Sequence, residues 1–236
     1  MTAPSVCYVV GSVPRSGSTL LCELLGRTGV AGTPDEFFSP YTVGELKDDW
    51  GFATLEEYVR ELFARHSTPN GVFGAKAHWA QWEATIGDAD PFALFPGLRF
   101  VYITRRDHLR QAVSWVRAQQ TGKFHAQDPS AAERAPEFDR DRIARMLARV
   151  EREEGLWESL FEQLQIEPRR VVYEDLVAAQ EETVRAVLEH LGVEAPADLH
   201  LPPPVLERQA DALSEEWIER YRAAISPPGR GASPND

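Results

Sequence analysis

The stretch from Tyr8 to Leu25, YVVGSVPRSGSTLLCELL, constrains the fold more than any other part of the chain. Its opening, Cys7 to Val10, is a short apolar run that predicts a buried parallel strand. A loop of Gly, Ser and Pro follows from Gly11 to Ser18. Thr19, Leu20, Leu21, Leu24 and Leu25 then recur at helical spacing. Strand, small-residue loop and helix in that order build an anion cradle. Loop N–H groups point inward, and the helix N-terminus adds partial positive charge. Gly17 allows close backbone approach to an oxyanion. Ser16, Ser18 and Thr19 supply hydroxyl donors, and Pro14 and Arg15 lead into them.

This loop departs from the nucleotide triphosphatase pattern. That pattern, GxxxxGK[ST], needs a Lys for the terminal phosphates and a hydroxyl for Mg²⁺. Here Ser18 follows Gly17, and the loop's cation is Arg15, placed before the glycine. A fixed cation with hydroxyls suits a phosphosulfate better than ATP with Mg²⁺. The plainer alternative is a Ser/Gly turn that binds nothing.

The chain has 236 residues and is 43% hydrophobic with six Trp, enough for a core of its own. One domain over residues 1–225 is expected, with a tail over 226–236 (SPPGRGASPND from Ser226) of a composition that buries no core. The net charge of −12 argues against a nucleic-acid binder. Cys7 and Cys22 fall on the first strand and first helix and read as buried thiols, with no sign of disulfides or a metal cluster. MTAPSV lacks the features of a signal peptide, and no run reaches transmembrane length, so no integral membrane segment and a cytoplasmic location are expected.

Further along, Thr28 to Gly32 reads as a helix stop and a very short second strand. Leu55 to His66 is an amphipathic helix, with Leu55, Tyr58, Val59, Leu62 and Phe63 on one face. Asn70-Gly71 marks a turn before a strand from Val72 to Ala75. Asp90 to Gly97 reads as a connector, Arg99 to Thr104 as a strong strand, and the residues to about Thr121 as a helix. Gly122 to Glu137 is polar and aperiodic, the candidate lid. A long charged helix from Phe138 to Leu164, broken near Gly155, a strand from Arg169 to Tyr173, and a helix from Gln180 to Leu191 follow. The last helix, Ser214 to Ala224, is expected to be capped by Ser214. Alternating strands and helices predict an α/β fold of three layers, a central parallel sheet between helices, with ligands at the carboxyl ends of the strands.

A second anchor is RRDHLRQAVS, where Arg105 and Arg106 close a strand and Ser114 lies in the next helix. A strand-end Arg and a helix Ser bracket one phosphate, and the guanidinium fork holds two of its oxygens. Taken alone, Arg-Arg-Asp reads as an exposed helix start. It is not alone: PRSGST, RRDHLRQAVS and VYEDL follow one another, each after a strand. Together they resemble the sulfotransferases that use 3′-phosphoadenosine 5′-phosphosulfate (PAPS). More narrowly, TGVAGTPDEFF, NGVFGAK, QAVSWVRAQQTG and LERQADALSEEWIERY resemble the bacterial trehalose 2-sulfotransferase (Stf0) family, from about Tyr8 to Arg222.

The resemblance implies a P-loop-like fold, PAPS as donor, no metal, a small hydroxyl acceptor and a homodimer. It implies that Pro14 to Thr19 hold the 5′-phosphosulfate and that Arg105 and Ser114 hold the 3′-phosphate, with Arg106 as the alternative. Tyr173, in VYEDL, matches a position near the nucleotide. Arg208, in LERQ, is a third candidate phosphate partner. Two residues compete for the base. Glu36 lies in PDEFF, where the family places its proposed catalytic carboxylate, and Phe37 and Phe38 beside it are expected to raise its pKa. His78 lies in Lys76-Ala77-His78, which resembles the K-x-H of animal cytosolic sulfotransferases and departs from the trehalose enzymes. Glu36 is preferred because its match is longer. Lys76 is expected to line the transfer site. The competing functions are a P-loop small-molecule kinase and a non-catalytic nucleotide-binding protein.

Overall fold

The computed structural model describes residues 3–124, 135–201 and 212–225. Its centre is a sheet of four parallel strands in the order β2-β1-β3-β4, namely β1 (Val6–Ser12), β2 (Val72–His78), β3 (Arg99–Thr104) and β4 (Arg169–Val172). The α/β class and the parallel sheet are as the sequence predicts.

The sheet is apolar on both faces, and β1 shows why. Cys7 and Val9 point to one side, where they join Phe73, Ala75, Phe100 and Tyr102. Tyr8 and Val10 point to the other, where they meet Leu21, Leu25, Val101 and Ile103. Side chains alternate with period two, so a strand buried on both faces must be apolar at every position. One face is covered by α3 (Leu55–His66), α4 (Trp79–Thr85), α6 (His108–Thr121), α7 (Arg140–Gln163) and α10 (Ala212–Ile225). The other is covered by α1 (Ser18–Arg27), α8 (Tyr173–Ala178) and α9 (Gln180–His190). Parallel strands need such crossovers, and the helices supply the missing layers.

From β1 the chain passes to β2 on one side and later to β3 on the other. The loops that leave the carboxyl ends of β1 and β3 therefore diverge, and a crevice opens between them. Such a switch point is where open α/β sheets take ligands. The loop Val13 to Gly17 and the pair Arg105 and Arg106 sit there.

Several elements differ from the sequence reading. Thr28 to Gly32 stops α1 but forms no strand. Its carbonyls bond to side chains instead: Tyr8 Oη donates to Ala31 O at 2.7 Å and Asn70 Nδ2 to Val30 O at 2.9 Å. A helix absent from the reading, α2 (Pro40–Trp50), has no buried residue. The connector at Asp90 holds a single turn, α5 (Pro91–Leu94), capped by Asp90. α7 runs unbroken through Gly155, because nothing nearby pushes into the helix there. Tyr173 opens α8 rather than closing β4. Ser214 lies inside α10, buried and accepting a hydrogen bond from Arg117 Nη1, so it does not cap the helix. No described helix is long and apolar enough to cross a membrane. The tail, Arg208 and the central part of the expected lid lie outside the described residues.

Candidate active site

The loop after β1 turns sharply, closed by Ser16 N–H donating to Val13 O at 3.2 Å. Two residues take left-handed backbone: Arg15 at φ 68° and Gly17 at φ 95°. For Gly17 this is the ordinary use of glycine; for Arg15 it is strain of the kind found at functional sites. Space makes Gly17 obligatory as well, since a Cβ there would lie 2.3 Å from Cδ2 of Tyr173. Gly17 is the N-cap of α1 and offers no side chain to the first helical N–H groups. Those groups have no intrahelical partner by geometry. Ser16 is fully buried, and its Oγ has no hydrogen-bond partner. A buried hydroxyl without a partner costs stability, and Ser16 Oγ is left as a donor open to an acceptor.

The second anchor meets the first here. Arg15 Nε donates to Ser114 Oγ of α6 at 3.0 Å. Arg105 Nη1 donates to Arg15 O at 3.4 Å. The Arg105 guanidinium lies over the Tyr173 ring, 4.7 Å from its centre. Its Nε is buried and makes no hydrogen bond, with Glu174 Oε1 3.9 Å away. Burial lowers the pKa of Arg105, opposed by Tyr173, Glu174 and Asp107. Arg106 goes elsewhere: its exposed guanidinium donates to Asp175 Oδ2 at 2.5 Å, and its N–H donates to Glu174 Oε2. Successive residues after a strand diverge, so only one of the pair can reach the loop, and that one is Arg105. Gln111, which the sequence does not single out, donates from Nε2 to Pro14 O at 2.9 Å and ties α6 to the loop.

A second cluster forms at the end of β2. Lys76, almost wholly buried, places Nζ 2.9 Å from Glu36 Oε1 and 3.2 Å from Thr19 Oγ1. His78 Nε2 lies 3.4 Å from the same carboxylate oxygen, and Gln81 Nε2 donates to Glu36 Oε2 at 2.6 Å. The backbone fixes this arrangement, since Lys76 N–H donates to Asp35 O at 2.8 Å and Glu36 N–H to Asp35 Oδ1 at 2.7 Å.

Phe37 and Phe38 do not desolvate Glu36 as expected. Both turn into the core, Phe37 onto His66 and Phe73 and Phe38 onto Trp82 and Phe95. Partial burial raises the Glu36 pKa, but His78 and Lys76 outweigh it and hold the carboxyl well below its usual range. Lys76 shows the converse. Burial lowers its pKa, Cys22 and Glu36 raise it, and the net shift is upward.

His78 is the N-cap of α4, where its own N–H donates to Gln81 Oε1 at 2.9 Å. His78 and Gln81 stand at the spacing of a capping pair. Ser12 also enters the cluster, through the pairing of β1 with β2, and no local pattern marks it. Among the tryptophans, Trp82 and Trp115 are core, Trp50 lies under Arg65, and Trp79 packs edge-on against Trp157.

The arrangement offers an anion cradle at a helix N-terminus, two half-buried guanidinium groups beside it, Arg15 and Arg105, and a carboxylate within reach of a buried ammonium. Comparison with known proteins agrees in kind. The trehalose 2-sulfotransferase of Mycolicibacterium smegmatis is 33% identical over 94% of this chain and 96% of its own length. That of Mycobacterium tuberculosis is 30% identical over 92% and 94%. The solved sulfotransferase domain of the Synechococcus PCC 7002 olefin synthase aligns at 15% identity and TM-score 0.46, over 97% of this chain and 90% of that one, a likeness too loose to bear on the site. The sequence profile of the Stf0 sulphotransferases matches residues 7–224, and the chain belongs to that family.

Proposed function

We propose that this sulfotransferase takes its sulfuryl group from PAPS and delivers it to a hydroxyl of a small carbohydrate or natural product, without a metal. One observation carries the donor assignment. Arg15 of the loop meets Ser114 of α6 and Arg105 from the end of β3, and two buried polar atoms there, Ser16 Oγ and Arg105 Nε, lack hydrogen-bond partners. That donor set fits a ligand with two phosphate groups. The names of the two relatives, both trehalose 2-sulfotransferases, support a carbohydrate acceptor.

When bound, the donor supplies an activated sulfuryl group on a phosphate leaving group. The chain's part is to hold charge and move a proton. Pro14 to Thr19 cradle the 5′-phosphate side through backbone N–H groups and the hydroxyls of Ser16, Ser18 and Thr19. Arg105 and Ser114 hold the 3′-phosphate, Tyr173 supports Arg105, and Arg208 is a further candidate. Arg15 and Lys76 stabilise the charge that develops on the leaving side, as preorganised cations do. Glu36 removes the acceptor proton. Its carboxylate is ionised and placed beside Lys76, and its low pKa makes it a weak base while Lys76 and His78 hold it. Homodimer formation rests on the family resemblance and is open to light scattering.

The donor assignment is tested by calorimetry with adenosine 3′,5′-bisphosphate in the absence of Mg²⁺. Loss of a charge-assisted phosphate contact costs about 1.5–3 kcal/mol, roughly 10- to 150-fold in affinity. Arg105→Ala should weaken this ligand by that factor while sparing adenosine 5′-phosphate. Equal losses for both ligands would remove the 3′-phosphate assignment. ATP consumption independent of PAPS would favour a kinase, and tight nucleotide binding with no transfer to any acceptor a non-catalytic protein.

A further inference from the structure

Ser12 is the last residue of β1 and pairs in register with His78, the last of β2. It is fully buried. Its carbonyl accepts from Trp157 Nε1 of α7 at 3.0 Å. Its Oγ lies 2.9 Å from His78 Nδ1 and 3.2 Å from Ala77 O. On the far side of the ring, His78 Nε2 faces Glu36 Oε1 at 3.4 Å. A chain of polar groups thus runs from β1 through the imidazole to the carboxylate.

Proton counting restricts this chain. A serine hydroxyl has one proton, and a neutral imidazole has one N–H. If the Ser12 proton goes to His78 Nδ1, the ring's own proton sits on Nε2 and is directed at Glu36. If it goes to Ala77 O, then Nδ1–H must donate to Ser12 Oγ. A neutral ring would then turn a bare Nε2 lone pair toward an ionised carboxylate, an acceptor facing an acceptor, which only a proton on Nε2 relieves. Both consistent states carry a proton on Nε2. The groups facing the ring are the Glu36 carboxylate, an acceptor for that proton, and the buried Lys76 ammonium, which pairs with the same carboxylate oxygen.

We propose that Ser12 is a positioning residue that keeps Nε2 of His78 protonated, so that the imidazole donates to Glu36 and steadies the carboxylate rather than acting as the base. This deepens the sulfuryl-transfer reading and rests on it for the role of Glu36. It explains how a K-x-H sequence coexists with a carboxylate base: the histidine presents no lone pair to the acceptor. The Ser12 hydroxyl, free to turn between Ala77 O and Nδ1, satisfies the ring in either charge state. Orienting a ring nitrogen through its opposite nitrogen is the general way a second residue sets what a histidine can do.

The test is ¹⁵N-resolved NMR of the histidine rings in the full chain, with His78 assigned by the signals lost in His78→Asn. The expected result is a ring with a proton on Nε2, whatever the state of Nδ1. A neutral ring protonated on Nδ1 with a bare Nε2 would overturn the proposal. Ser12→Ala should mix tautomers and lower kcat roughly 5- to 20-fold, the loss of one buried hydrogen bond, with the donor KM within about twofold. Ser12→Thr, which keeps the hydroxyl, should restore most of the rate. Wild-type kcat in Ser12→Ala would overturn the role. Should that variant not fold, the wild-type titration still decides. The ring spectrum is read without turnover, so failure of the sulfuryl-transfer reading appears only in the assay, as no transfer by the wild-type protein, and failure of the Glu36 base role appears there as full transfer by Glu36→Gln.

Discussion

At Glu36 two opposing effects meet: partial burial favours the protonated acid, while His78 and Lys76 favour the carboxylate and prevail. A carboxyl with a depressed folded pKa contributes stability above its unfolded value, near 4.3, and loses it as pH falls toward the folded value. Glu36→Gln removes that contribution and leaves the buried Lys76 ammonium without its charged partner. The variant should be less stable by about 1–3 kcal/mol at pH 7, and the gap should narrow from about pH 4 downward. Urea unfolding of both proteins at pH 7 and pH 3 checks the sign, and a gap that widens in acid would contradict it. The same variant should lose roughly 10²–10⁴-fold in kcat, the usual effect of removing a general base, and keep its affinity for adenosine 3′,5′-bisphosphate. His78→Asn should lose less. A collapse in His78→Asn with near wild-type turnover in Glu36→Gln would transfer the role to His78. The residue types were legible at this scale, since Arg15, Glu36 and Lys76 all stand in motifs. Their electrostatics were not, because the aromatic neighbours of Glu36 in sequence are its neighbours in space only through the backbone.

Among the elements, β1, β3 and α3 were legible because each is dictated by its own apolar period. α2 was not, since it has no fully buried residue and only Val43, Leu46 and Trp50 pack partly against the core, and α8 is too short to show a period. Register was also hidden: the pairing of Ser12 with His78 depends on two strands far apart in sequence. Two glycine substitutions separate local from tertiary constraint. Gly155 is an exposed residue inside α7 with nothing within 4 Å of an added Cβ. Gly155→Ala should therefore stabilise the protein by about 0.5–1 kcal/mol, seen as a higher Tm. Gly17→Ala should do the reverse. Its positive φ and the Tyr173 ring at 2.3 Å both oppose a side chain, so a cost of about 1–3 kcal/mol and a marked loss of nucleotide affinity are expected. Calorimetry that finds unchanged affinity in Gly17→Ala would contradict this account of the loop.

For the whole molecule, the switch of direction at β1 places the described candidate groups at one end of the sheet, and α10 helps to hold that end together. Arg110 of α6 bonds to Glu215 with both terminal nitrogens, and Trp217, Ile218 and Tyr221 are buried beneath it. Trp217→Ala should cost about 3–5 kcal/mol and lower the Tm of the entire transition rather than melt one helix alone. Circular dichroism and nucleotide-protected melting should report the same midpoint shift.

The loop is flanked by two reporters of its own opening. Cys7 in β1 and Cys22 in α1 are both buried, and burial pushes each thiol up to about 12. Only the thiolate reacts with an alkylating agent, so modification must wait until strand or helix exposes its sulfur. Labelling rates then become a clock for local unfolding on each side of the cradle. Equal rates would mean that strand, loop and helix open as one unit, and a bound nucleotide should slow both together. A faster Cys22 would mean that the helix lifts away while the strand stays in the sheet.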